Sequence, residues 1–130
     1  MAYSDGASRG NPGPAAYGIR ILDGDGAELF SGGERIGRAT NNVAEYRGAI
    51  AALDKARALG LTEIELRMDS ELVVKQLGGE YRVRQPALAV LKQQLDELIR
   101  GFRRFRVRHV PREENGEADR LANEALEAGR

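Results

Sequence analysis

Apolar and polar residues follow two different periods along this chain, and each change of period marks an element. Short apolar-rich runs over residues 2–4, 16–22 and 28–36 predict three strands. Gly and Pro cluster at Gly10-Asn11-Pro12-Gly13-Pro14, at 24–26 and at Gly32-Gly33, and read as turns; Asp23-Gly24-Asp25-Gly26 offers the positive-φ positions of a tight hairpin. Residues 42–59 are too long and too rich in Ala and Leu for a strand. At about 100° per residue, Glu45, Ala49, Ala52 and Ala56 fall on one line, with Arg47 and Asp54 opposite. This predicts a helix whose inner ridge of small residues packs closely on a sheet, with a carboxylate at its N-terminal end. Residues 62–68 alternate, placing Ile64, Leu66 and Met68 on one side and Glu63, Glu65 and Arg67 on the other, as in a half-buried strand. A short helix over 70–77 has Ser70 placed to cap it. Leu88, Leu91, Leu95, Leu98 and Ile99 recur at spacings of three and four and predict a helix over 85–100. A strand over 102–110 and a helix over 115–128, striped by Ala118, Leu121, Ala122, Ala125 and Leu126, complete the chain. The order βββαβααβα predicts an α/β fold, a mixed sheet flanked by helices with parallel crossovers in its later half.

Composition narrows the chemistry. One domain spanning 1–130 is expected, long enough to bury a sizeable core. With no Cys and a single His, thiolate metal sites, disulfides and Cys nucleophiles are excluded. No apolar run approaches the length of a spanning helix, and Met1 leads into Tyr3-Ser4-Asp5 rather than a basic and then apolar leader. A cytoplasmic protein without a membrane partner is the expectation.

Four carboxylates stand out by joint placement. Asp5 and Asp69 follow the first and fourth strands; parallel pairing of those strands brings both to the carboxyl edge of the sheet, where open α/β sheets hold ligands. Glu45 lies on the inward line of the long helix, and Glu is rarely buried without a partner. Asp119 is near the start of the last helix, beside its apolar stripe. Each has a plainer alternative: Asp5-Gly6 is a turn dipeptide, Asp69-Ser70 a helix cap, Asp119 an acid in a first helical turn. Brought together, the four would repel one another and take up protons or a divalent cation, and all-oxygen donors suit Mg²⁺ or Mn²⁺ rather than Zn²⁺.

Four segments carrying these acids resemble ribonuclease H of type 1, in the right order and over residues 3–126. They are Ser4-Asp5-Gly6-Ala7-Ser8-Arg9-Gly10-Asn11-Pro12-Gly13, Thr40-Asn41-Asn42-Val43-Ala44-Glu45-Tyr46, Met68-Asp69-Ser70-Glu71-Leu72-Val73, and the stretch from His109-Val110-Pro111-Arg112 through Ala118-Asp119-Arg120-Leu121-Ala122-Asn123. The resemblance implies a ribonuclease H-like fold with a five-stranded mixed sheet. It implies an endonuclease cutting the RNA strand of an RNA/DNA hybrid in replication or repair, leaving 5′-phosphate and 3′-hydroxyl ends. It further implies two Mg²⁺ ions, replaceable by Mn²⁺, on Asp5, Glu45, Asp69 and Asp119. Gly10, Asn11, Asn41 and Asn42 match positions lying along the minor groove, where the 2′-hydroxyl is read. Thr40 matches a position seating a phosphate of the DNA strand, and Glu71 stands where several relatives carry a substrate-contacting Gln. As helix caps and turn residues, Asn42 and Asn11 have a structural alternative.

Two departures from that family pattern matter. Only 78–84 separates the two middle helices, so the basic protrusion of many relatives is absent here. Many relatives also carry a mobile His before the last Asp. Ungapped counting from Asp119 gives His109, whereas anchoring on Val110-Pro111 gives Arg112, the preferred assignment because His109 falls in or at the end of a strand. Two alternatives stay open: a same-fold nuclease that also cleaves RNA duplexes, and a non-catalytic hybrid-binding module. A monomer is expected.

The 20 basic and 20 acidic residues cancel, which argues at first against a nucleic-acid partner. The cancellation is regional. Residues 81–112 hold nine basic against two acidic residues, leaving eleven basic against eighteen acidic in the rest, all four candidate ligands among them. A basic stretch able to meet phosphates thus coexists with an acidic site.

Overall fold

The structure is a computed structural model that describes residues 1–128. Its elements are β1 (Ala2–Ser8), β2 (Gly13–Leu22), β3 (Glu28–Ala39), α1 (Asn41–Ala58), β4 (Glu63–Met68), α2 (Glu71–Leu77), α3 (Pro86–Arg100), β5 (Arg104–His109), a 3₁₀ turn (Arg112–Asn115) and α4 (Gly116–Ala128). They match the expected order. The strands form one five-stranded mixed sheet in the order β3-β2-β1-β4-β5, antiparallel through β3, β2 and β1 and parallel from β1 through β4 to β5.

The small-residue ridge of α1 does what its spacing requires. Ala49, Ala52 and Ala56 are fully buried, and the helix lies against β1, β2 and α3. Tyr46, Leu53, Leu66, Met68, Val73 and Leu95 fill the core between α1, α3 and the sheet. The Tyr46 hydroxyl donates to the Gln76 side chain, so this buried polar group is satisfied. Helix α4 covers the opposite face of β1, β2 and β3. It approaches so closely that a Cβ on Gly18 would sit 2.2 Å from the Ala118 carbonyl oxygen.

Several element boundaries correct the sequence reading. The first strand runs on through Asp5 to Ser8 instead of stopping at residue 4, and Asp5 pairs in register with Gly18. Asp5-Gly6 is therefore no turn. Gly6 is required by packing, because a Cβ there would lie 2.3 Å from the Glu45 backbone nitrogen. Gly32 and Gly33 also lie within a strand, β3, which continues to Ala39. Helix α1 begins at Asn41 with Thr40 as its cap; the Thr40 Oγ1 accepts the Val43 N–H at 3.2 Å, so Asn42 is not the cap.

Candidate active site

Four elements separated in sequence deliver the four acids to one place. Asp5 projects from mid-β1, Glu45 from the second turn of α1, Asp69 from the residue after β4, and Asp119 from the first turn of α4. Together they line a cavity of about 540 Å³ at the carboxyl ends of β1, β4 and β5. One carboxylate oxygen each from Asp5, Glu45 and Asp69 lies within 4.8 Å of the others. Asp119 lines the same cavity and helps raise the Asp5 carboxyl.

The site is buried where charge is costly. Asp5 is 6% exposed and Glu45 4%. Burial pushes the Asp5 carboxyl far above the ordinary carboxylate range, and the charges of Glu45 and Asp69 raise it further. Burial also raises Glu45, against hydrogen bonds that favour its charged form, chiefly from the Gly6 N–H and also from the side chains of Asp5 and Ser70. Oxygen donors alone, converging from separate elements and carrying more like charge than the pocket can hold ionised, fit a hard divalent cation of the Mg²⁺ or Mn²⁺ type.

The walls hold residues of different standing. His109 and Arg112 both line the cavity, His109 as the last residue of β5 and Arg112 as the first of the 3₁₀ turn. Asn41 also lines it. Its backbone N–H donates to the Asn11 side-chain oxygen at 3.0 Å, tying the glycine-rich turn to the start of α1. Gly10 in that turn has φ +112° and its carbonyl accepts the Ser8 hydroxyl. Thr40 is engaged as the α1 cap. Glu71 stands outside the cavity lining, fully exposed, and pairs with Lys75 Nζ at 2.7 Å.

Two residues of the site were not singled out by sequence reasoning. The Asn123 amide, one helical turn after Asp119 and also in the cavity wall, donates to the Asp119 backbone carbonyl at 2.9 Å and to its carboxylate at 3.3 Å. The i, i+4 spacing was the available signal. Asn115 is buried and donates to the Ser4 carbonyl at 2.9 Å, pinning the turn before α4 onto β1 next to Asp5. A buried Asn in a polar loop carries no comparable signal.

The comparisons with known proteins agree with this geometry. Residues 3–125 match the family model described as reverse transcriptase-like. The curated ribonuclease HI of Halobacterium salinarum is 53% identical over 126 residues, which is 97% of this chain and 63% of that protein. Mycobacterial relatives are 51% identical, and this chain spans 35% of their length. The crystal structure of the H. salinarum RNase H1 superposes with a TM-score of 0.96, covering 98% of this chain and 96% of that one. The structure of LC11-RNase H1 in complex with an RNA/DNA hybrid is 40% identical, with a TM-score of 0.94 over 98% of this chain and 96% of the other.

Proposed function

The chain belongs to the ribonuclease H type 1 family, and from that premise we propose that it is an endonuclease hydrolysing the RNA strand of RNA/DNA hybrids to 5′-phosphate and 3′-hydroxyl ends. Residues 1–130 are read as one such domain, acting as a monomer on hybrids arising in replication or repair. The observation that carries the reading is the meeting of three carboxylate oxygens, from β1, α1 and the end of β4, within 4.8 Å of one another in a cavity that also takes in Asp119.

Asp5, Glu45, Asp69 and Asp119 would hold two Mg²⁺ ions. When bound, the ions supply the Lewis acidity and charge neutralisation that in-line phosphodiester hydrolysis by water requires. The protein's share is preorganisation. The Gly6 N–H fixes Glu45, and Asn123 holds the Asp119 carboxylate toward the cavity. Asp5 gives up the proton that burial otherwise keeps on it. Arg112, which lines the cavity, steadies the negative charge that develops as the 3′ oxygen leaves.

Recognition falls to the rim. Gly10, Asn11, Asn41 and Asn42 meet the 2′-hydroxyls, and the α1 N-terminus beside Thr40 receives a phosphate of the DNA strand. Glu71, exposed and paired with Lys75, serves at most as an outer contact. The connection from α2 to α3 is only eight residues long, 78–85, which supports reading this as a compact form without a basic protrusion. That short connection favours one second reading, a broader nuclease that also cleaves RNA duplexes, because a smaller grip selects less. Cleavage of hybrid, RNA duplex and DNA duplex in Mg²⁺, Mn²⁺ and EDTA separates these. Cleavage of the hybrid alone supports the main reading, cleavage of both RNA-containing duplexes the second, and no cleavage in any metal defeats both.

A further inference from the structure

Helix α4 packs on β1, β2 and β3, and the same face of β4 and β5 carries an unbroken set of charged side chains. In register, Glu63 lies beside Arg104, Glu65 beside Arg106, and Arg67 beside Arg108. The first two pairs are of opposite charge. The third sets two cations side by side, an arrangement that destabilises a sheet unless an anion lies between or over them. Arg67 is held in place by Glu65 at 2.6 Å and by the Tyr3 hydroxyl at 2.6 Å. The β5 arginines reach into solvent: the side chains of Arg104 and Arg106 are 77% and 81% exposed, and their distances to the glutamates are 3.7 and 4.0 Å. With Arg103, five arginines face two glutamates.

We propose that this arginine row is a docking track for the phosphodiester backbone of a single-stranded nucleic-acid segment continuing from the strand held in the cavity. The proposal rests on the hybrid-nuclease reading for the identity of that strand. Continuity supports it: β4 leads into Asp69 and β5 ends at His109, both in the cavity wall, so the Arg67–Arg108 end of the row is the end nearest the site. Spacing supports it too. Arg104, Arg106 and Arg108 recur every second residue on one face of a strand, about 6.6 Å apart, which presents one cation after another along a linear polyanion. Arginine's planar fork binds phosphate oxygens in pairs, which a lysine cannot do.

The test measures binding by fluorescence anisotropy in EDTA, where no cleavage occurs, over a range of salt. A short blunt RNA/DNA hybrid is compared with the same hybrid carrying a single-stranded oligo-dT tail at each of its ends in turn. For the unaltered protein, a tail on one end is expected to tighten binding severalfold and to steepen the salt dependence, by ~0.7 in log K against log salt for each added phosphate contact. The double variant R104A/R106A should lose the tail's gain and its extra slope while binding and, in Mg²⁺, cleaving the blunt hybrid as before. R104K/R106K should retain part of the gain, which separates charge from misfolding. A tail gain equal in the unaltered and R104A/R106A proteins, or no gain at any end, overturns the proposal. So does competition by poly-glutamate as effective as by oligo-dT, which would assign the row to an acidic polypeptide. Failure of the nuclease reading shows separately, as absence of hybrid cleavage by the unaltered protein in Mg²⁺.

Discussion

Asp5 is the residue on which the acidic site turns, because it is buried and touches the other acids. Asp5→Asn or Asp69→Asn should abolish Mg²⁺-dependent cleavage of a hybrid while the fold persists, checked by single-turnover assay and far-UV circular dichroism. Normal turnover in either variant would refute the site assignment. The same burial sets a pH dependence of stability. Asp5 and Glu45 hold their protons to higher pH in the folded protein than in the unfolded chain. Their favourable contribution is therefore complete below the ordinary carboxylate pKa of about 4 and is lost as pH rises through the raised values. Thermal melts in EDTA from mildly acidic to alkaline pH should show Tm falling through this window. Asp5→Asn should flatten the decline, and saturating Mg²⁺ should offset it. Arg112→Ala is expected to slow turnover more than His109→Ala; equal or reversed effects would transfer the role to His109, since both reach the cavity wall. At this scale the sequence was ambiguous for a physical reason. An Asp before a Gly looks the same whether the Gly makes a turn or lets a helix backbone come close, and only the nearness of α1, whose Glu45 nitrogen would lie 2.3 Å from a Cβ on Gly6, distinguishes them.

Among the elements, the helices were legible and the strand ends were not. Periods of three and four fixed α1, α3 and α4 because each buries a single stripe, and the buried Ala49, Ala52 and Ala56 lie where that periodicity put them. Strands β1 and β3 run longer than their apolar runs because backbone pairing with β2, not side-chain pattern, carries them on through polar residues to Ser8 and Ala39. Nor does any local signal reveal that Gly18 and Gly33 exist for α4, whose backbone comes within 2.2 and 2.5 Å of where their Cβ atoms would stand. Gly18→Ala should therefore push α4 off the sheet, at a cost of about 1–3 kcal/mol, and displace Asp119. Urea unfolding and Mg²⁺ titration of the variant would show both losses together. Thr40→Ala removes only the α1 cap, an effect of about 1 kcal/mol, and a much larger loss of hybrid binding than of stability would mark its second use at the phosphate.

For the whole molecule, a net charge of zero hides a division of labour. Asp5, Glu45, Asp69 and Asp119 gather in the cavity, while arginines alternate along β5 beside it. Affinity for a hybrid carrying a single-stranded tail should consequently fall more steeply with salt than affinity for the blunt hybrid, by ~0.7 in log K against log salt for each added phosphate contact; equal slopes would show that these arginines do not meet the tail.

The Asn115 hydrogen bond to Ser4 spans 111 positions of the chain. It joins the earliest strand to the turn that launches α4 and positions the last of the four acids. During synthesis Asp5, Glu45 and Asp69 precede Asp119, and the turn that seats the fourth acid comes only just before α4. A nascent chain therefore lacks the complete four-acid site until α4 has been made. The same long span makes the molecule a natural candidate for division into two fragments, separated between β5 and α4, each lacking part of the four-acid site, whose reassociation would rebuild it and report on whatever brings them together.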